Sequence, residues 1–405
     1  MLAYRRRSLW YTATTSSVGG VMDLRFSDAE EQFRGEVRSF LEAELPTGWP
    51  DAYPDEKERT TASKAFRQKL VQKGWLTMAW PKEYGGQECS VTEQLVYNEE
   101  MAMRKAPSGG GMGVMWVGPL IMMYGTEEQK ARFMPPIVKE EAQWCTLYSE
   151  PNAGSDLASL QTRAERDGDE FVVNGQKIWT SGGHNAQWGL LAARTDPDAQ
   201  THKGISMLLV DMKSPGLTIK PLYDLTDDHN FNEVFFDNVR LPRGCLLGEL
   251  NRGWYQMAVG LQFERSWINQ VVMGERFLED ILNWTKEAGM TSDPLVRQKL
   301  ADLVIRTRVG RMLGYRVVWI QSQGGSPSHE SSIDKLFNSE MLQMLSRTGM
   351  SLLGLKGQFN KGERNAPMGG MVQYNLRQWT GWTIAGGTTE IQRNIIATRG
   401  LGLPR

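Results

Sequence analysis

Cysteine and histidine are scarce in this sequence. Three cysteines (Cys89, Cys145, Cys245) and four histidines (His184, His202, His229, His329) are scattered over 405 residues. No CxxC, HxxxH or HExxH spacing appears, which excludes the usual protein-built zinc sites. The isolated cysteines fit a reducing compartment and give no disulfide framework. No run approaches the roughly 18 apolar residues that a membrane-spanning helix needs, and the mean hydropathy is −0.43. An excess of either charge sign is also missing: 46 Lys and Arg oppose 47 Asp and Glu, for a net charge of −1. That balance argues against a nucleic-acid or anionic-membrane surface. Demanding chemistry in such a chain therefore calls for an organic cofactor. At 405 residues the chain is too long for one ordinary core, so two or three packed domains are expected.

Residues 1–21, MLAYRRRSLWYTATTSSVGGV, carry Arg5, Arg6 and Arg7, many hydroxyl residues and no acid. They lack the apolar core of a signal peptide. A disordered extension or an upstream start codon is favoured over a transit peptide. After Met22, Ser27 and Glu30 form a capping box, and Phe33, Val37, Phe40 and Leu41 follow at helical spacing.

Three regions follow, an α+β arrangement. Residues 22–140 read as an N-terminal helical domain with helices over 27–45, 57–74, 91–105 and 126–140. Ser90 with Glu93, and Thr126 with Gln129, repeat the capping-box spacing. Residues 141–250 hold short stretches rich in β-branched and aromatic residues: 171–182, 188–195, 205–212, 217–222 and 232–241. Turn residues separate them, so a central antiparallel β-barrel is expected. Residues 251–405 return to long helical patterns over 253–288, 293–324, 330–354 and 370–400, the pattern of a C-terminal four-helix bundle.

Four motifs bear chemistry. In WCTLYSEPNAGSDLASLQT (144–162), Pro151, Asn152, Gly154 and Ser155 describe a tight turn that can face a ligand or simply join two strands. NGQKIWTSGG (174–183) ends a strand in Trp179, Thr180 and Ser181, where an indole beside hydroxyls suits an aromatic cofactor ring or a core position at the sheet rim. AGGTTEIQRN (385–394) offers the free N–H groups of a helix start. Glu264 lies among Leu261, Phe263, Trp267 and Ile268, and a continuous helix would put Leu261, Trp267 and Ile268 on its face. Such a carboxylate is either a paired structural charge or a functional one with a raised pKa. GGGMGVM (109–115) has neither the spacing nor the preceding strand of a dinucleotide fingerprint. Met112, Met115, Trp116 and Trp267 border a binding pocket or fill the core.

Taken in order, WPKEYGG (80–86), YGTEEQKARFMPPI (124–137), YSEPNAGSD (148–156), NGQKIWTSGG (174–183) and GGTTEIQRNI (386–395) resemble the blocks of the acyl-CoA dehydrogenase family over about residues 22–405. The resemblance implies FAD between the central domain and the helices. It places Thr146, Tyr148 and Ser149 along the flavin, Gly154 and Ser155 beside flavin and thioester, and Trp179 on the ring system. Thr180 and Ser181 would hydrogen-bond ring atoms. Thr388 and Glu390 match positions at the adenosine-diphosphate portion. The implied reaction is α,β-dehydrogenation of an acyl-CoA, with the Gly386 N–H polarising the thioester carbonyl and the flavin taking the β-hydride. Electron-transfer flavoprotein or a similar acceptor would reoxidise it.

The chain departs from the common family pattern. Gly386 occupies the position where most members carry the catalytic Glu. Glu264, followed by Arg265, matches the smaller group with the base on the first bundle helix, and Arg265 would lie on the substrate side without pairing directly to Glu264. The usual Arg-x-x-Phe-Gly block that reaches a neighbouring subunit is replaced by WTKEAGMTSDPLVRQK (284–299), and LLGLKGQF (352–359) replaces the usual Gly-Gly segment. This combination is similar to actinobacterial members of steroid and related catabolism, several of which are heterotetramers. The expectations are a bacterial cytoplasmic enzyme, rather than one of the mitochondrial matrix, that works as a homo-oligomer or with a paralogous chain. A non-catalytic partner subunit and a same-fold flavin monooxygenase or oxidase are the competing functions.

Overall fold

A computed structural model describes residues 22–260 and 266–404. The expectations for residues 1–21 and for Glu264 and Arg265 fall outside the described residues.

The three capping boxes start their helices as the sequence predicts. Ser27, Ser90 and Thr126 each accept an N–H three residues on through the side chain and donate their own main-chain N–H to the side chain there, opening α1 (Asp28–Glu44), α3 (Val91–Met103) and α5 (Glu127–Val138). Asp55 caps α2 (Glu56–Lys73), which ends at left-handed Gly74. One helical stretch was not expected. Gly113–Val117 forms a π-helical turn that runs into α4 (Gly118–Tyr124). The glycines that hide it allow close packing, since a Cβ on Gly118 would meet the Trp80 ring at 2.4 Å.

Eight strands follow: β1 (Trp144–Leu147), β2 (Arg163–Asp167), β3 (Glu170–Lys177), β4 (Trp188–Arg194), β5 (Ile205–Asp211), β6 (Leu217–Leu222), β7 (Phe231–Pro242) and β8 (Leu246–Leu247). They lie in one sheet of order β6-β7-β3-β2-β4-β5-β8, with β1 beside β4. This corrects the antiparallel barrel. The sheet is open, and β1 pairs with β4 in parallel, as β2 does at Arg163 and Arg194. Parallel pairing arises because the chain leaves β1, makes a loop and the β2–β3 hairpin, and returns in the original direction. β4 shows no polar alternation because both its faces are buried. Leu190 and Ala192 pack towards the N-terminal helices, while Leu191 and Ala193 join Val173, Val210 and Phe236 on the other face.

The C-terminal region holds α6 (Gly253–Gly260), α7 (Ile268–Glu287), α8 (Pro294–Ser322), α9 (His329–Leu353), α10 (Met371–Trp382) and α11 (Thr389–Ile395). The expected helix over 253–288 is not continuous, because α7 begins afresh at Ile268 with Trp267 as its cap residue at φ −88° and ψ 25°. The cause lies on α9. The Asp334 carboxylate accepts the Trp267 N–H at 3.1 Å, supplying from another helix the partner that a helix start requires. The expected fourth helix is also two, α10 and α11, parted by Gly386 and Gly387 at φ +66° and +89°.

A buried ionic network joins the N-terminal helices to the bundle. Glu99 of α3 accepts from Arg34 at 2.9 Å, Arg311 at 2.5 Å and the Tyr315 hydroxyl at 2.6 Å. Arg311 also pairs with Glu275, and Glu100 takes Arg34 and a two-pronged contact from Arg38.

Candidate functional site

The end of β1 and the end of β3 lie side by side. The Ile178 N–H donates to the Ser149 carbonyl at 2.9 Å. The Lys177 ammonium donates to the Tyr148 carbonyl at 2.9 Å and to Glu150 Oε1 at 2.8 Å. Glu150 also accepts the N–H groups of Gln161 (2.6 Å) and Thr162 (2.8 Å). One buried ion pair thus ties together the loop after β1, the entry to β2 and the exit of β3. Burial pushes the Lys177 ammonium down to about 8, against the pull of Glu150. Burial would raise the Glu150 carboxyl, but Lys177 and the N–H donors outweigh it and hold it below its usual range.

The pair was not legible in the sequence. Lys177 sits in a strand and Glu150 in a turn 27 residues away, and nothing local marks either as buried. Lys177→Met leaves Glu150 without its counter-charge. It is expected to lower stability by about 3–5 kcal/mol, part of which Glu150→Gln in the same chain restores. Urea unfolding of the single and double variants measures both effects.

The tie places two loops against each other. In the first, Glu150 and Ala153 exchange N–H to carbonyl bonds of 3.0 Å around Pro151 and Asn152, leaving Gly154 and Ser155 exposed. A Cβ on Gly154 would meet nothing within 4 Å. The buried Tyr148 hydroxyl accepts the Trp116 indole N–H at 2.9 Å, and burial pushes its pKa well above the ordinary phenol value. Thr146 lies in β1, half-buried. In the second loop the strand ends at Lys177, earlier than the sequence implies, because Trp179 takes φ +59°. A left-handed bulky residue is an outlier that costs about 1–3 kcal/mol and points to a functional site. Trp179 is 54% exposed, its ring edge-on to Phe231 at 5.6 Å, and Ser181 beside it is exposed. Thr180 differs from its neighbours. Its side chain is buried with Oγ1 unpartnered, and its main chain exchanges bonds with Asn232.

Gly386, Thr388 and Glu390 lie apart from these loops in sequence, Gly386 and Thr388 on the α10–α11 turn and Glu390 in the first turn of α11. The Gln392 amide holds the turn by donating to the carbonyls of Gly386 (3.1 Å) and Gly387 (3.2 Å). A Cβ on Gly386 would meet nothing within 4 Å. The Thr388 hydroxyl accepts the Ile391 N–H as the cap of α11. Glu390 is exposed, and its own N–H with the hydroxyls of Thr389 and Thr388 holds its carboxyl below the usual range. α10 connects the turn to the central domain: Tyr374 donates to Asp228 at 2.6 Å and Arg377 to the Leu225 carbonyl at 2.9 Å.

Two titratable groups on α9 were also missed by the sequence reading. Asp334 is buried and its carboxyl is pushed up to about 7 by that burial, against the bonds from Trp267 and Asn338. Burial pushes the Lys335 ammonium, which lies over the Trp267 ring, down to about 8. Met112 and Trp116 pack against the N-terminal core, and Trp267 meets Trp382 edge-on at 5.4 Å.

Residues 27–141, 145–239 and 251–401 match, in turn, the N-terminal, middle and C-terminal domains of acyl-CoA dehydrogenases. The chain belongs to the acyl-CoA dehydrogenase family. It is 35% identical to the acyl-CoA dehydrogenase IpdE1 of Mycobacterium tuberculosis (strain ATCC 25618 / H37Rv), covering 93% of this chain and 98% of that one. Among solved structures, a steroid ACAD, Tcur3481-Tcur3483, superposes with a TM-score of 0.85 at 34% identity, covering 95% of this chain and 100% of the other. The ChsE4-ChsE5 complex from Mycobacterium tuberculosis superposes with a TM-score of 0.84 at 32% identity, covering 95% and 100%. The protein is thus an oxidoreductase acting on acyl-CoA thioesters. No described helix is long and apolar enough to cross a membrane.

The family is flavin-dependent, and the loops fit such a group. An exposed indole offers a face to a planar ring, and an exposed hydroxyl, Ser181, stands next to it. The glycines at 154 and 386 leave open the space that a Cβ would fill.

Proposed function

We propose that this chain carries out FAD-dependent α,β-dehydrogenation of an acyl-CoA to the trans-2-enoyl-CoA. The exposed left-handed Trp179, held beside Ser149 and Ser181 by the Lys177–Glu150 tie, carries the reading. Thr146, Tyr148, Ser149, Trp179 and Ser181 line the flavin, with Gly154 and Ser155 where flavin and thioester meet. Thr180 supports the turn from beneath. When bound, FAD accepts the β-hydride. Gly386 directs its N–H to the thioester carbonyl, where preorganised donors stabilise the developing enolate. Glu264 removes the α-proton, and Arg265 organises polar groups beside the substrate. The rival acid, Glu390, is exposed and lowered, the opposite of what an α-proton base needs. Thr388 and Glu390 face the adenosine-diphosphate portion.

The chain works as an oligomer in the bacterial cytoplasm, with itself or with a paralogous chain, and passes electrons to an electron-transfer flavoprotein or similar acceptor. The paired names of the Tcur3481-Tcur3483 and ChsE4-ChsE5 structures favour a two-chain assembly and acyl groups of steroid or lipid breakdown.

The test is direct. Protein expressed alone and with its paralogue is incubated with FAD, freed of excess, and mixed anaerobically with a panel of acyl-CoAs. Bleaching of the flavin absorbance is expected. Flavin binding without bleaching by any acyl-CoA assigns the chain to a non-catalytic or monooxygenase role. Colourless protein in both preparations overturns the cofactor assignment.

A further inference from the structure

Asn232 is fully buried at the start of β7 and grips the Trp179–Ser181 turn from beneath. Its carbonyl accepts the Thr180 N–H at 3.0 Å, and its side-chain Nδ2 donates to the Thr180 carbonyl at 3.0 Å. A carbonyl can only accept, so the amide orientation is fixed by chemistry. The second Nδ2 proton then faces His184 Nδ1 at 3.1 Å, and Oδ1 faces His229 Nε2 at 2.9 Å. His184 must therefore keep Nδ1 bare, and His229 must carry its proton on Nε2. The two imidazoles stack at 4.0 Å between ring centroids, 22° apart.

The two histidines respond differently to acid. His229 can take a second proton at Nδ1 without disturbing Asn232. His184 can take one only at Nδ1, which turns its acceptor into a donor facing another donor. Charging both rings sets two cations face to face at 4.0 Å.

The neighbouring charges come from the β6–β7 loop, from α10 and from the segment before α10. The β6–β7 loop supplies Asp224, Asp227 and Asp228, with Tyr223 5.5 Å from the His229 ring. α10 supplies Tyr374, bonded to Asp228, and Arg377, bonded to Asp227 and the Leu225 carbonyl. Lys361 sits over the Tyr374 ring. Asp224 is engaged by Thr226 and Asn230, and Asp228 by Tyr374. These carboxylates are thus held by partners other than the histidines.

We propose that Asn232 is a positioning residue for the flavin-facing turn, and that His184 makes its grip proton-sensitive. The inference rests on the reading that Trp179 and Ser181 face the flavin. Acid protonates His184 at Nδ1, breaks the Asn232 contact and loosens Thr180, so the turn loses its register against the ring.

The experiment follows two readouts from pH 8 to pH 5. One is hydrogen exchange at the Thr180 and Gly182 amides, corrected for the intrinsic rate. The other is FAD affinity by fluorescence quenching. Wild type is expected to lose protection and about tenfold in affinity as pH falls, the size of one lost hydrogen bond to a charged or buried partner. Asn232→Ser keeps the main-chain carbonyl that accepts the Thr180 N–H but loses the Nδ2 bond to the Thr180 carbonyl, so its protection should be lowered at every pH. His184→Gln, an exposed substitution that keeps an acceptor, should remove the acid-dependent loss. Unchanged Thr180 exchange in Asn232→Ser, or an undiminished acid effect in His184→Gln, overturns the proposal. If exchange behaves as expected but no FAD binds, the lock stands and the flavin reading falls. If FAD binds and both readouts ignore pH, the lock falls and the flavin reading stands.

Discussion

Glu264→Gln is expected to keep flavin content and acyl-CoA binding while slowing flavin reduction by roughly 10²–10⁴-fold, the usual worth of a positioned general base. Gln preserves size and hydrogen-bonding capacity but cannot take the α-proton. The loss should appear equally in kcat and kcat/KM, as for an interaction made only in the transition state. Stopped-flow reduction under anaerobic conditions measures it. A variant that reduces as fast as wild type removes Glu264 from the mechanism and makes Glu390 the next candidate. The Gly386→Glu exchange in the same background tests whether a base at the common family position reaches the same carbon. A Cβ there meets nothing within 4 Å, but the φ of +66° penalises any side chain by about 1–2 kcal/mol. Partial recovery with lowered stability is therefore expected.

Glu99→Gln is expected to destabilise the fold as strongly as Lys177→Met. The Glu99 carboxylate, 4% exposed, receives Arg34, Arg311 and Tyr315 from two regions of the chain. Neutralising it leaves two guanidiniums to share Glu100 and Glu275. Removing one partner of a buried pair costs about 3–5 kcal/mol, which should lower the apparent melting temperature by on the order of 10 °C. The contrast is Arg38→Ala. Its side chain is 55% exposed, so the loss should stay under about 1 kcal/mol. Calorimetry on both variants decides the matter. Equal, small shifts would mean that the α3–α8 junction is held by apolar packing and not by the network.

Much of the fold is legible because its signals are local. A capping box closes within one turn, so Ser27, Ser90 and Thr126 announce their helices without reference to the rest of the chain. The β-rich stretches and the five ordered blocks likewise gave the three-domain α+β plan and the family. The first bundle helix shows where local reading stops. Its apolar repeat runs on through Trp267 and Ile268, yet Asp334, 67 residues away, takes the Trp267 N–H and starts a new helix.

The same distinction governs the site. The sequence alone supplied the two loops, the indole beside hydroxyls and the helix start after Gly386, because each is a short contiguous motif. Only the tertiary structure decided what holds them. The Lys177–Glu150 tie, the Glu99 network, the Asn232 grip with its stacked histidines and the open edge of the sheet each join residues brought close by packing. A charge or amide in a sequence carries no mark of burial. Its role is set by partners that arrive from distant segments, and by the low-dielectric surroundings that make an unpaired polar group costly.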